Sequence, residues 1–183
     1  RPPPARTMSF RSSSPVSLHA LCPYGEGMER DAPLVIVGGG LAGALAALAL
    51  TEARPDLPIL LVEAGKTFGG NHVWSFFDGD LDKAGAALVA GLEPVRWASH
   101  SVTFPRRQRM LGFGYSSATS AKLDALVRAR LRPDQYLLGA AVRDIEPGAV
   151  TLASGKRIAA LGVIDARGPS GPMPGLDLAW QKF

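Results

Sequence analysis

Short apolar runs rich in Val, Ile and Leu alternate along this chain with longer runs rich in Ala and Leu, and the alternation predicts its elements. Leu34–Val37 is entered from Pro33 and ended by Gly38, Gly39 and Gly40, the pattern of a strand buried on both faces. Residues 41–52 predict a helix through their alanines and leucines, with Pro55 closing it. Ile59–Val62 is a second apolar run, so the chain opens as strand, helix, strand, with Glu63 next in line. Beyond it, Gly69 and Gly70 mark a loop that runs into WSFFDGDL, followed by a short helix at Lys83–Ala90. Strands are expected at 102–104 and 111–115. Ser120 reads as the N-cap of a helix that carries Leu123, Leu126, Val127 and Leu131 on one face. Arg128, Arg130 and Arg132 near its carboxyl end are read as facing solvent and the helix dipole. Further short strands are expected at 136–138, 141–145, 150–152, 158–160 and 163–165, with turns at Gly148 and Gly155.

Two stretches depart from this pattern. Residues 1–27 are rich in Pro, Ser and Arg and lack apolar periodicity, so a disordered leader is expected ahead of Met28. Their basic, acid-poor composition also resembles a transit peptide, with dispensable leader sequence the favoured reading. Residues 34–50 carry no charge over 17 positions, at the lower limit of the roughly 17 to 25 that span a membrane. Three consecutive glycines would weaken such a span, whereas a strand-to-helix turn needs them, so no membrane helix is expected.

Composition adds exclusions rather than assignments. At 183 residues, 46% apolar and 20% charged, the chain is globular and long enough for one domain or one and a fraction. Of the net charge of +4, three arginines against Glu26 place +2 in the first 27 residues. The densest basic run, Arg106, Arg107 and Arg109, is short, so no nucleic-acid partner is expected. The single cysteine, Cys22, precludes an internal disulfide or a thiolate cluster and fits a reducing, cytoplasmic compartment. His72 and His100 lack partners at metal-ligand spacing, so no metal site is expected.

Chemistry enters at the first turn. Gly38, Gly40 and Gly43 form G-x-G-x-x-G between a strand and a helix, and Glu63 follows Gly43 by twenty positions at the end of the second strand. Gly38 permits the tight turn, Gly40 lets main-chain amides approach a pyrophosphate, and Gly43 lets helix and strand pack closely. The helix amino terminus then faces the anion. The candidate cofactor-binding set is therefore Gly38, Gly39, Gly40, Leu41, Ala42, Gly43 and Glu63. Glu63 would accept from adenosine ribose hydroxyls and repel a 2′-phosphate, which points away from NADP at this site. The expected fold class is α/β, a Rossmann-like FAD/NAD(P)-binding domain with a parallel sheet. Lys66, Phe68, Gly69 and Gly70 are similar to the R-x-G-G segment that many two-domain flavoproteins place after the ribose-binding acid, which favours FAD over NAD. GKRIAALGVIDARG likewise resembles a later flavoprotein strand, which adds Gly69, Gly70, Asp165 and Gly168 to the set.

A more specific resemblance follows. FGGNHVWSFFDGDL is similar to the GGNHTWSF segment of bacterial lycopene β-cyclases, with Val73 where a threonine is usual. Phe104, Pro105, Arg106, Arg107 and Arg109, then Gly114, Tyr115, Thr119 and Ser120, VIDARG and the terminal AWQKF continue in that family's order. The resemblance covers residues 33–183. It implies a redox-neutral isomerisation in which the linear ψ end groups of lycopene are protonated and closed into β-ionone rings, giving β-carotene. It also implies reduced FAD, NAD(P)H as the electron donor, and peripheral association with the cytoplasmic side of the inner membrane, from which a hydrocarbon substrate must be drawn. The domain organisation expected is an incomplete FAD-binding domain over residues 28–183, with part of a β-rich substrate domain inserted at about 71–135. GPSGPMPGLDLAWQKF does not read as the close of a domain, so the chain is expected to be a truncated fragment, inactive alone. Other readings are an FAD-dependent hydroxylase or desaturase, and an inactive dinucleotide-binding remnant.

No catalytic acid is assigned. Asp78, Asp80 and Asp82 are the only clustered carboxylates, and such acids serve either as proton donors with raised pKa or as solvated loop residues. Trp74, Phe76 and Phe77 line either a polyene tunnel or the core beside the cofactor domain.

Overall fold

A computed structural model describes residues 32–168, and the leader, Met28, Cys22 and the closing AWQKF lie outside the described residues. Four strands form a parallel sheet: β1 (Leu34–Val37), β2 (Ile59–Val62), β8 (Tyr136–Leu137) and β12 (Gly162–Asp165). Their order across the sheet is β12-β1-β2-β8, with Val37 opposite both Val62 and Asp165. The carboxyl ends of three strands therefore meet at one edge, with the glycine turn directly above β1. This is the α/β architecture expected.

The apolar run of β1 is continuous because both of its faces are covered. Ile36, Leu61 and Ile59 pack with Ala44, Ala47 and Leu48 of helix α1 (Leu41–Ala53) and with Leu123 and Val127 of helix α3 (Ser120–Arg130). Val89 of α2 (Lys83–Ala90) and Leu92 complete that layer. Val35, Val37 and Val62 point the other way, onto Val150, Leu152 and Ala160. Those residues come from or border an antiparallel meander of β9 (Val142–Glu146), β10 (Ala149–Leu152) and β11 (Arg157–Ala159). Helices, parallel sheet and meander make three layers around two apolar interfaces.

Between β2 and β8 the chain builds two antiparallel sheets. One contains β3 (Val73–Phe77), β7 (Tyr115–Thr119) and β4 (Val95–Trp97), in the order β3-β7-β4. The other is the hairpin of β5 (His100–Phe104) and β6 (Arg107–Leu111). Several expectations are corrected here. The expected strand at 111–115 is instead the end of β6 and the start of β7, broken at Gly112 and Gly114. β3, β4 and β6 were not expected at all. In β3, Val73 and Phe77 face outward while Trp74 and Phe76 pack against the core, so both faces are apolar and no period of two is visible. The N-cap of α3 is Thr119 rather than Ser120: the Thr119 hydroxyl accepts from the Lys122 amide, and Ser120 is the first helical residue. Arg128 is not simply solvated, because it donates to the Asp124 carboxylate and to the Lys66 carbonyl. Residues 34–50 divide between β1, the turn and α1, and among the described residues no helix is long and apolar enough to cross a membrane.

Candidate functional site

The glycine turn is shaped by close approach. Gly38 has φ +103°, and a Cβ there would lie 2.8 Å from the Ala166 and Arg167 backbone. A Cβ on Gly43 would overlap the Gly38 carbonyl oxygen and crowd Ala166, so α1 lies against the turn as only glycine permits. Gly40 differs, since nothing lies within 4 Å of the position its Cβ would take. It opens onto a cavity of about 360 Å³, within the range of roughly 300–1,000 Å³ common for small-molecule sites.

That cavity sits beyond the carboxyl ends of β1 and β2, where open α/β sheets receive ligands. Its walls include Gly38, Gly40, Glu63, Gly69, Gly70 and Arg167. Helix α1 begins there without a side-chain cap and without an acid in its first turn. Its first amides, at Leu41, Ala42 and Gly43, are therefore left for an external acceptor. A diphosphate fits this setting: the amides supply donors, and Gly40 supplies the clearance.

Glu63 stands at the same mouth. One carboxylate oxygen accepts from the Gly39 amide at 2.6 Å and the other from the Gly65 amide at 2.6 Å. The acid thus ties the glycine turn to the loop after β2, and each oxygen retains a second lone pair for a further donor. The Gly69 amide in turn donates to the Gly39 carbonyl, which closes the 65–70 loop over the turn. Gly69 (φ +78°) and Gly70 (φ +59°) both adopt left-handed backbone, and a Cβ on Gly69 would lie 2.9 Å from the Trp74 ring.

The remaining members of the expected set divide. Of the turn and helix start only Gly38 and Gly40 line the cavity; Leu41 and Ala42 lie beside it without lining it, and Gly39 and Gly43 are buried behind its wall. Gly39 is glycine for a reason invisible in the motif: its Cβ would collide with Phe68, which is fully buried and packs edge-on against Tyr136 with ring centroids 5.5 Å apart. Asp165 reaches the cavity only through Arg167, whose Nε and Nη2 donate to it at 2.9 and 2.7 Å. Those bonds hold the Asp165 carboxyl below its ordinary value and the Arg167 guanidinium above its own. Gly168 has φ +77° and lies off the cavity wall. Arg167 is a cavity-wall side chain that the motif reading passed over, although it lies inside VIDARG; its guanidinium is held there by Asp165 and the Val142 carbonyl.

The acidic cluster is accounted for structurally. Asp80 accepts from the Phe77 amide at 2.8 Å, and Asp82 caps α2 by accepting from the Gly85 amide at 2.7 Å. Asp78 packs against Gly114. Trp74 and Phe76 belong to the core, whereas Phe77 stands on the outer face of β3 beside Tyr115 and His100. Among the described residues no three His, Cys, Asp or Glu side chains converge as metal ligands do.

Comparison with known proteins adds the family. The model of the family described as lycopene cyclase protein matches residues 33–183. A lycopene β-cyclase of Pantoea ananas is 37% identical over 141 residues, covering 77% of this chain and 37% of that protein. A second, from Pseudescherichia vulneris, is 40% identical over 135 residues, covering 74% of this chain and 35% of that protein. The chain thus spans little more than a third of the length of these relatives. Among solved structures, a tetrameric 2-methyl-3-hydroxypyridine-5-carboxylic acid oxygenase has a TM-score of 0.58 at 18% identity, over 74% of this chain and 39% of that one. At that identity the likeness is one of fold.

Proposed function

The chain belongs to the lycopene cyclase family, and from that premise we propose that it supplies the FAD-binding part of an enzyme that cyclises lycopene end groups to β-ionone rings. The observation that carries the cofactor reading is the uncapped start of α1, opening through Gly40 onto a cavity that Glu63 and Arg167 flank. In this reading the amides at the start of α1, at Leu41 and Ala42, bind the pyrophosphate, the free acceptor directions of Glu63 take the adenosine ribose hydroxyls, and Gly69 and Gly70 let the adjoining loop lie close to the nucleotide. Arg167, oriented by its ion pair with Asp165, lies on the same cavity wall, where its remaining N–H groups would donate to that anion.

Reduced FAD, kept reduced by NAD(P)H, would supply electron density that stabilises positive charge developing on the protonated polyene. The work of this chain is to bind and orient that group. None of Asp78, Asp80 or Asp82 is assigned as the proton donor, since two are engaged with main-chain amides and the third packs on Gly114. The segment at about 71–135 is read as the beginning of the substrate side. Because lycopene is a hydrocarbon, the enzyme is read as peripheral to the cytoplasmic face of a membrane.

The cofactor reading is tested by titrating the chain with ADP and with FAD. Saturation at about 100 times Kd should raise unfolding free energy by about 2.7 kcal/mol for either ligand, because the adenine half carries the contacts. Absence of any shift with both would overturn it. The cyclisation reading is tested by grafting residues 33–168 into the Pantoea ananas relative in lycopene-accumulating cells. A change from red to orange pigment is expected, whereas consumption of NADH with oxygen and no ring closure would favour a hydroxylase.

A further inference from the structure

We propose that the β5–β6 hairpin is the contact by which this protein docks on an anionic lipid surface, with Phe104 entering the interface and Arg106, Arg107 and Arg109 pairing with lipid phosphates. The proposal rests on the reading that the substrate is drawn from lipid, but its test needs no carotenoid.

Four observations converge on the hairpin. Among the described residues its two strands pair only with each other, through a turn at Pro105 and Arg106, and both faces of its tip are exposed. A free two-stranded hairpin is marginal in water, and this one is anchored at its base alone, where the His100 ring packs on Phe77, Phe113 and Tyr115. At the tip, Phe104 is 64% exposed, a large apolar side chain beside the turn, whereas the exposed Met110 pairs with Ser101 near the base. Pairing places Phe104 opposite Arg107 and Val102 opposite Arg109, so apolar and cationic side chains share one face.

Charge identifies the occupant. No acidic residue occurs between Glu93 and Asp124, a stretch that carries Arg96, Arg106, Arg107, Arg109 and Lys122. Among the described residues every ion pair lies outside the hairpin, so its three arginines have no carboxylate partner. Arginine stems lie along apolar surface while their heads reach phosphate, which suits the boundary of a bilayer. A single-stranded nucleic acid would need successive aromatic platforms, and the tip offers one ring.

The test is co-sedimentation of the chain with phosphatidylcholine vesicles and with vesicles containing phosphatidylglycerol, at about 0.1 M salt. Tighter binding to the anionic vesicles is expected. The triple variant Arg106→Gln/Arg107→Gln/Arg109→Gln should weaken it about 100-fold. Phe104→Ser should weaken it about tenfold. A charge-matched control, Arg130→Gln/Arg143→Gln/Arg157→Gln, should bind as the parent does. Circular dichroism should show the same melting for every variant used in the comparison, and Phe104→Ser serves if the triple variant unfolds. Equal binding to both vesicles, an unaffected triple variant, or an equal loss in the control would overturn the proposal. Displacement of the chain from vesicles by single-stranded DNA would overturn it in favour of a nucleic acid.

Discussion

Glu63 holds two main-chain amides that belong to different loops, so one side chain sets both the mouth of the cavity and its polarity. In Glu63→Gln one of those amides meets an NH₂ group instead of a carboxylate oxygen. The loss of a hydrogen bond to a charged acceptor should cost about 1.5–3 kcal/mol in urea denaturation without ligand, and FAD affinity should fall with it. If stability is unchanged, the carboxylate is not organising the turn. Gly43 works by absence. Gly43→Ala pushes a methyl group into the Gly38 carbonyl, and overpacking of this kind costs about 1–3 kcal/mol. Flavin titration of this variant should show no saturable binding, because the helix start is displaced from the turn.

At the scale of elements, α1 and α3 solve the same end problem differently. α3 caps itself with Thr119, whereas α1 begins at Gly40 with no side-chain cap. Gly40→Asp separates fold from function, because the new side chain has open space and would serve as an internal cap. Thermal stability should stay within a few tenths of a kcal/mol or rise slightly. ADP affinity should fall at least about tenfold, because a carboxylate then occupies the anion position. Equal ADP affinity in the variant would show that the helix start is not the phosphate site. The loop at 65–70 is likewise set by its neighbours: the Phe68 amide donates to Asp124 of α3, and Gly139 donates to the Gly65 carbonyl.

At the scale of the whole molecule, β12 returns from far along the chain to lie beside β1, and its carboxyl end delivers Arg167 to the cavity. The Asp165–Arg167 pair has a pH signature. The carboxyl is held below its ordinary value near about 3.9, so the pair contributes stability above that value. The contribution is lost as pH falls through the lower folded value. Both side chains are substantially exposed, at 47% and 37%, so the effect is screened. Asp165→Asn should lower stability at pH 7 by less than about 1 kcal/mol. Denaturation curves of parent and variant should converge below the folded value, and a difference that persists there would place the pair's role elsewhere.

The strand, turn, helix, strand and acid of the dinucleotide motif were legible along the chain, because each depends on local demands. A four-residue apolar run, a positive φ at Gly38 and a helix of alanines and leucines are properties of neighbouring residues. The chain also carried the family, since 68–81 holds a run of aromatic and glycine positions particular to it. Strand pairing and long-range packing settled the rest. Gly39 must lack a side chain because Phe68 folds back over it, and Arg167 reaches the cavity because β12 pairs with β1. β6, with the sequence RQRML, becomes a strand because β5 lies opposite it. Such contacts join residues far apart in sequence, and no local propensity encodes them.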